Sequence, residues 1–166
     1  LNEIPKNQEL MNLGTSTKEI IQERKDIKPI FIVGVPRCGS TLIEKVIASG
    51  SKNIQIGEET ALISFFVGEK MTLKESFNLN IENFKEKIIE KYKNRGLINE
   101  KSDNIFTDKS LDNFFFIGLI REIFPRAKII NCRRDPLASI MSILKNNLGD
   151  VTWAHDVKHI FEFSKG

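Results

Sequence analysis

Residues 34–41 read Gly-Val-Pro-Arg-Cys-Gly-Ser-Thr, which has the spacing of a phosphate-binding loop without its lysine. Two glycines stand five apart and a hydroxyl residue closes the run, as in GxxxxGK[ST], but Ser40 occupies the lysine position. That lysine normally reaches the β- and γ-phosphates beside Mg²⁺, so its loss disfavours γ-phosphoryl transfer. What remains is a cradle of backbone N–H groups backed by a helix dipole. Arg37 adds a planar, permanently charged fork suited to bidentate contact with an anion. The chemistry on offer is the holding of a phosphate-like group. A ligand-free strand–helix turn is the bland alternative, and Pro-Arg-Cys-Gly-Ser-Thr is unusually polar for one.

The elements around the loop fit this use. A short β-branched run at 29–33 predicts a buried strand, and Leu42, Ile43, Val46 and Ile47 recur at helical spacing up to Gly50. A second strand is expected over 53–56, ending at Gly57-Glu58-Glu59. A helix is expected over 80–94, with Ile81, Phe84, Ile88, Ile89 and Tyr92 on one apolar face. A third strand is expected at 105–107. Ser110 is placed to cap a helix running to Phe124, where Pro125 stops it. After a strand at 128–132, Asp135 can cap and Pro136 can open a helix reaching about residue 147. Strands alternating with helices predict an α/β fold, a parallel sheet covered on both faces. Ligands of such sheets bind beyond the carboxyl ends of the strands. Arg37, Glu59, Lys109 and Arg134 each follow a predicted strand, so all four are expected on that one edge.

Four blocks in order carry a family resemblance: the loop itself, Gly57-Glu58-Glu59-Thr60, Thr107-Asp108-Lys109-Ser110 and Cys132-Arg133-Arg134-Asp135-Pro136. The first resembles the 5′-phosphosulfate loop of sulfotransferases that use 3′-phosphoadenosine 5′-phosphosulfate (PAPS), whose usual form is Pro-Arg-Ser-Gly-Thr-Thr. The chain is most similar to tyrosylprotein sulfotransferases and to bacterial sulfotransferases carrying tetratricopeptide repeats. The resemblance implies a P-loop NTPase-like sheet and transfer of a sulfuryl group to a hydroxyl or amine, leaving adenosine 3′,5′-bisphosphate. It assigns Glu59 as general base and Lys109 as the cation at the leaving oxygen. Arg37, Cys38, Gly39, Ser40 and Thr41 would hold the 5′-phosphosulfate, and Arg37 would also steady the departing charge. Arg134 and Ser142 would hold the 3′-phosphate. Asp108 is assigned only the orienting of a neighbour. No metal is implied, because protein cations meet the donor's charge. Cys38 and Ser40 depart from the usual serine and threonine, and both keep a small polar side chain.

Composition bounds the rest. With 166 residues, 40% of them hydrophobic, the chain can bury one substantial core. A net charge of +3 with dispersed lysines and no aromatic-laced basic stripe argues against nucleic acid. Cys38 and Cys132 make no disulfide framework and read as reduced thiols of a cytoplasmic protein. Neither has the arginine six residues on that a phosphatase nucleophile needs; Glu44 and Ala138 stand there. The longest apolar run, 114–120, has seven residues, against the ~20 that span a bilayer. His155 and His159 lack the further ligands of a zinc site. The phenylalanines at 114–116 read as core. Residues 1–28, with a short helix at 17–25, read as a polar lead-in, and 29–166 as the N-terminal two-thirds of a sulfotransferase domain. Leu1 and Gly166 read as cut ends, the relatives continuing with a further strand and a basic loop.

The acceptor is left open among peptide tyrosine, a sugar hydroxyl and a small metabolite. Two rival functions stand beside sulfuryl transfer. One is a nucleotide kinase with a degenerate loop. The other is a non-catalytic domain that binds an anion for structure or for a partner.

Overall fold

The computed structural model of the chain describes residues 27–72, 81–99, 103–146 and 152–163. The expected helix at 17–25 lies outside them. Four parallel strands form the sheet: β1 (Lys28–Gly34), β2 (Ile54–Gln55), β3 (Ile105–Asp108) and β4 (Lys128–Cys132), in the order β2-β3-β1-β4. Among the described residues six α-helices accompany them: α1 (Ser40–Ser49), α2 (Leu62–Thr72), α3 (Ile81–Asn94), α4 (Ile117–Ile123), α5 (Pro136–Asn146) and α6 (Val157–Phe163). The architecture is the α/β fold expected from the alternation of strands and helices.

Period-two alternation along the strands sorts the core into two faces. Phe31, Phe106 and Ile129 share one cluster with Phe66 of α2, Ile88 and Tyr92 of α3, and Ile120 of α4. Ile30, Ile32, Ile105 and Ile130 point the other way, against Ile43 and Ile47 of α1. The central strand β1 is buried over its five middle residues, which explains its unbroken apolar sequence. Phe106 and Tyr92 stack at 4.8 Å between ring centroids, with Phe124 edge-on to Tyr92 at 5.8 Å. Rings of this size contribute about 0.5–1.5 kcal/mol per pair beyond their burial. A smaller cluster joins α5 and α6 through Ile140, Ile143 and Ile160.

Several elements differ from the expectation. The segment after Ser110 runs as a 3₁₀ helix over Leu111–Phe116 before α4 begins, and Ser110 makes no side-chain cap bond. Its hydroxyl donates to the buried Asp108 carboxylate at 2.6 Å while its oxygen accepts the Ala61 N–H at 2.8 Å, so the side chain is held away from the helix amides. Phe115 is exposed, so the 114–116 run is only partly core. β2 shortens to two residues, leaving Ile56 exposed. On α1, Leu42 and Val46 face outward while Glu44 is buried. Helix α2 has no counterpart among the expected elements, because its apolar residues surround the helix and leave no stripe to read.

Candidate functional site

The turn between β1 and α1 is built by two left-handed residues, Arg37 at φ 69° and Gly39 at φ 99°. A glycine meets that demand at Gly39 without strain, whereas Arg37 holds it at a cost of order 1 kcal/mol. Gly39 caps α1 without a side-chain bond. Among the described residues, the N–H groups of Ser40 and Thr41 meet no protein acceptor. The space a Cβ would fill at Gly39 is open to 4 Å. Free amides at a helix start, an open approach and a nearby guanidinium suit a tetrahedral anion.

Arg37 turns toward α5. Its Nε donates to Ser142 Oγ at 3.0 Å, and Arg134 reaches back to donate from a guanidinium nitrogen to the Arg37 carbonyl oxygen at 3.2 Å. Asp135 caps α5 by accepting the Ala138 N–H at 2.8 Å, as its position before Pro136 suggested. Arg37, Arg134 and Ser142 therefore converge at the carboxyl ends of β1 and β4, although up to 105 residues separate them.

A second group forms where the turn after β2 lies against the end of β3. Gly57 N–H donates to Thr107 Oγ1 at 3.1 Å, and Lys109 N–H to the Glu58 carbonyl at 2.9 Å. Thr60 Oγ1 donates to Asp108 at 2.5 Å, and Ala61 N–H to Ser110 Oγ at 2.8 Å. This zipper sets the Lys109 ammonium 3.2 Å from Glu59 Oε1. The lysine side chain is 10% exposed and the glutamate 57%, so the pair is anchored in the protein at one end and open to solvent at the other. Gly57 is required by close approach: a Cβ there would overlap the Thr107 carbonyl oxygen. Glu58 and Ala61 hold left-handed backbone at φ 58° and 51°, which the surrounding bonds impose.

Alternation at the end of β3 sends successive side chains to opposite faces of the sheet. Thr107 faces α1, where its hydroxyl donates to Glu44 Oε1 at 2.6 Å. Asp108 faces α3. It is fully buried and accepts from Thr60, Tyr92 (2.6 Å), the Ser110 N–H and hydroxyl, and Asn113 (3.1 Å). Burial first, and then the Asp108 charge, push the Tyr92 phenol well above its ordinary pKa of 10.0, so it stays a donor. Sequence reasoning gave Asp108 a minor role and Glu44 none. The signal for Asp108 was its flanking by Thr107 and Ser110; for Glu44 it was a charge among the apolar residues of a helix that packs on the sheet.

Cys38 and Cys132 are free and buried together beneath the loop. Burial, and then the neighbouring Cys38 thiol, push Cys132 up. His155 and His159 are both exposed. Among the described residues no helix is long and apolar enough to cross a membrane, and no cluster of metal-ligating side chains occurs.

Comparison with known proteins gives two findings. Residues 29–162 match the sulfotransferase family. An uncharacterized protein of Aquifex aeolicus (strain VF5) is 26% identical over 166 residues, an alignment that covers 87% of this chain and 21% of that protein. The chain thus spans about a fifth of the length of this relative.

Proposed function

The chain belongs to the sulfotransferase family, and on that premise we propose that it moves a sulfuryl group from PAPS to a hydroxyl or amine acceptor. One observation carries the reading: a solvent-facing carboxylate, Glu59, stands 3.2 Å from a cation, Lys109, on the sheet edge that also bears the anion cradle. PAPS, when bound, supplies an activated sulfuryl group whose departure leaves negative charge on a phosphate oxygen.

The protein's own residues divide the work. The amides of Gly39, Ser40 and Thr41, with the hydroxyls of the last two and the Arg37 guanidinium, bind the 5′ anion; Cys38 packs beneath and shapes the turn. Arg134 and Ser142, which flank Arg37, take the 3′-phosphate that distinguishes PAPS from ATP. Glu59 accepts the acceptor's proton as its oxygen or nitrogen bonds to sulfur. The electron pair of the broken sulfur–oxygen bond goes to the phosphate, where Lys109 and Arg37 offset the charge. Protein cations suffice for this, without a metal. The two buried free thiols support a cytoplasmic setting.

The test is transfer of radiolabelled sulfur from PAPS to a panel comprising a peptide tyrosine, a simple phenol, a sugar and an amine. Label should appear in one acceptor class with release of adenosine 3′,5′-bisphosphate, and Glu59→Gln should reduce it at least a hundredfold, the scale of general-base catalysis. Equal transfer by wild type and Glu59→Gln would remove Glu59 from the chemistry and favour an anion-binding domain.

A further inference from the structure

Glu44 lies in the second turn of α1, the helix whose first amides form the anion cradle. Its carboxylate is buried at 2% exposure. One oxygen, Oε1, accepts the Glu58 N–H at 3.1 Å and the Thr107 hydroxyl at 2.6 Å. The Thr107 hydroxyl, its single proton directed to Glu44, accepts the Gly57 N–H at 3.1 Å. A single side chain therefore reaches two consecutive backbone amides of the turn that carries Glu59, one directly and one through a hydroxyl.

Among the described residues no cation meets this carboxylate; burying one so costs several kcal/mol, and a well-packed hydrophobe of similar size would often be as stable or more so. The position is thus poorly explained by stability alone. What the carboxylate does is restrain Glu58, a non-glycine residue at φ 58°, by holding its amide. It also makes a mechanical link. Ser40 and Glu44 are one turn apart on the same rigid helix, so a ligand that draws on the first-turn amides acts on the Glu58 amide through α1.

We propose that Glu44 is a positioning residue that couples the anion cradle to the turn bearing Glu59, so that occupation of the cradle is felt at the base. The inference rests on the reading that the cradle takes adenosine 3′,5′-bisphosphate. Glutamine at this position keeps an oxygen able to accept both bonds; alanine keeps neither.

The test is an amide NMR titration of the full chain with adenosine 3′,5′-bisphosphate, run on wild type, Glu44→Gln, Glu44→Ala and Thr107→Val. In wild type, the amides of residues 39–41 and those of Gly57, Glu58 and Glu59 should shift together. Glu44→Ala should bind within about threefold of wild type, keep the loop shifts and lose those of the turn, while Glu44→Gln restores them. Thr107→Val should lose the Gly57 shift and keep that of Glu58. If Glu44→Ala does not fold, the glutamine and valine variants carry the test. Wild-type shifts confined to the loop, or a turn that still responds in Glu44→Ala or responds fully in Thr107→Val, would overturn the coupling. Wild type that binds no bisphosphate would overturn the donor reading itself, a result distinguishable from either.

Discussion

The Nζ of Lys109 and Oε1 of Glu59 meet at 3.2 Å, joining the residue after β3 to the turn after β2. Neither side chain travels far to do so, because the Lys109 amide already donates to the Glu58 carbonyl at 2.9 Å. Backbone pairing brings the two charges together, and the ion pair follows from it. With its carboxylate open to solvent, the half-buried pair contributes about 1 kcal/mol or less to stability. In the proposed reaction its role is to set the proton acceptor and a cation side by side.

Lys109→Met should therefore separate function from folding. Removing one group that offsets charge in a transition state lowers turnover about 10²–10³-fold. Unfolding free energy should change by no more than about 1 kcal/mol. Steady-state sulfuryl transfer and urea denaturation of the same variant check both; a parallel loss of stability and turnover would contradict the assignment.

Asp108→Asn should do the reverse. Five donors converge on this buried carboxylate from Thr60, Tyr92, Ser110 and Asn113. An amide group turns one acceptor oxygen into a donor facing donors, which should cost about 3 kcal/mol. The urea midpoint reports it, and a loss under about 1 kcal/mol would mean the network readily rearranges.

Tyr92 gives a pH signature that one chromophore can read, because it is the only tyrosine in the chain. Burial and the Asp108 charge hold its folded pKa well above 10.0. The unfolded chain then releases the phenolic proton first, so this contribution to stability is complete below about pH 10 and falls as pH rises beyond it. Tyrosinate absorbance should appear with unfolding in alkali and not before. Tyr92→Phe should remove this part of the alkaline slope, at about 1–2 kcal/mol near neutrality for the lost bond to a charged acceptor.

Gly57→Ala tests the junction sterically. The added methyl would overlap the Thr107 carbonyl oxygen, so β2 and β3 must part at their carboxyl ends. We expect a loss of more than about 2 kcal/mol in thermal or urea unfolding. Stability within about 0.5 kcal/mol of wild type would show that the turn can shift away.

Much of this edge was legible in the sequence because parallel sheets put strand ends together whatever the side chains are. Arg37, Glu59, Lys109 and Arg134 needed only their positions after predicted strands. Glu44 carried only a weak signal, a charge among apolar helix residues, and its partner became known only when Thr107 was seen to face α1 from the end of β3. Tyr92 was read correctly as a buried face residue, but its hydroxyl partner, 16 residues away, depends on tertiary placement. Leu42 and Val46 misled in the other direction: helical spacing marks a face, and the sheet beneath α1 covers only Ile43 and Ile47 of it.

The most direct measurement is a calorimetric titration of the chain with adenosine 3′,5′-bisphosphate, against adenosine 5′-monophosphate and Mg²⁺–ATP. The bisphosphate should bind at least tenfold more tightly, worth about 1.4 kcal/mol, and Arg134→Ala should abolish the preference. Preference for Mg²⁺–ATP, or equal binding of the monophosphate, would contradict a site built for a 3′-phosphate.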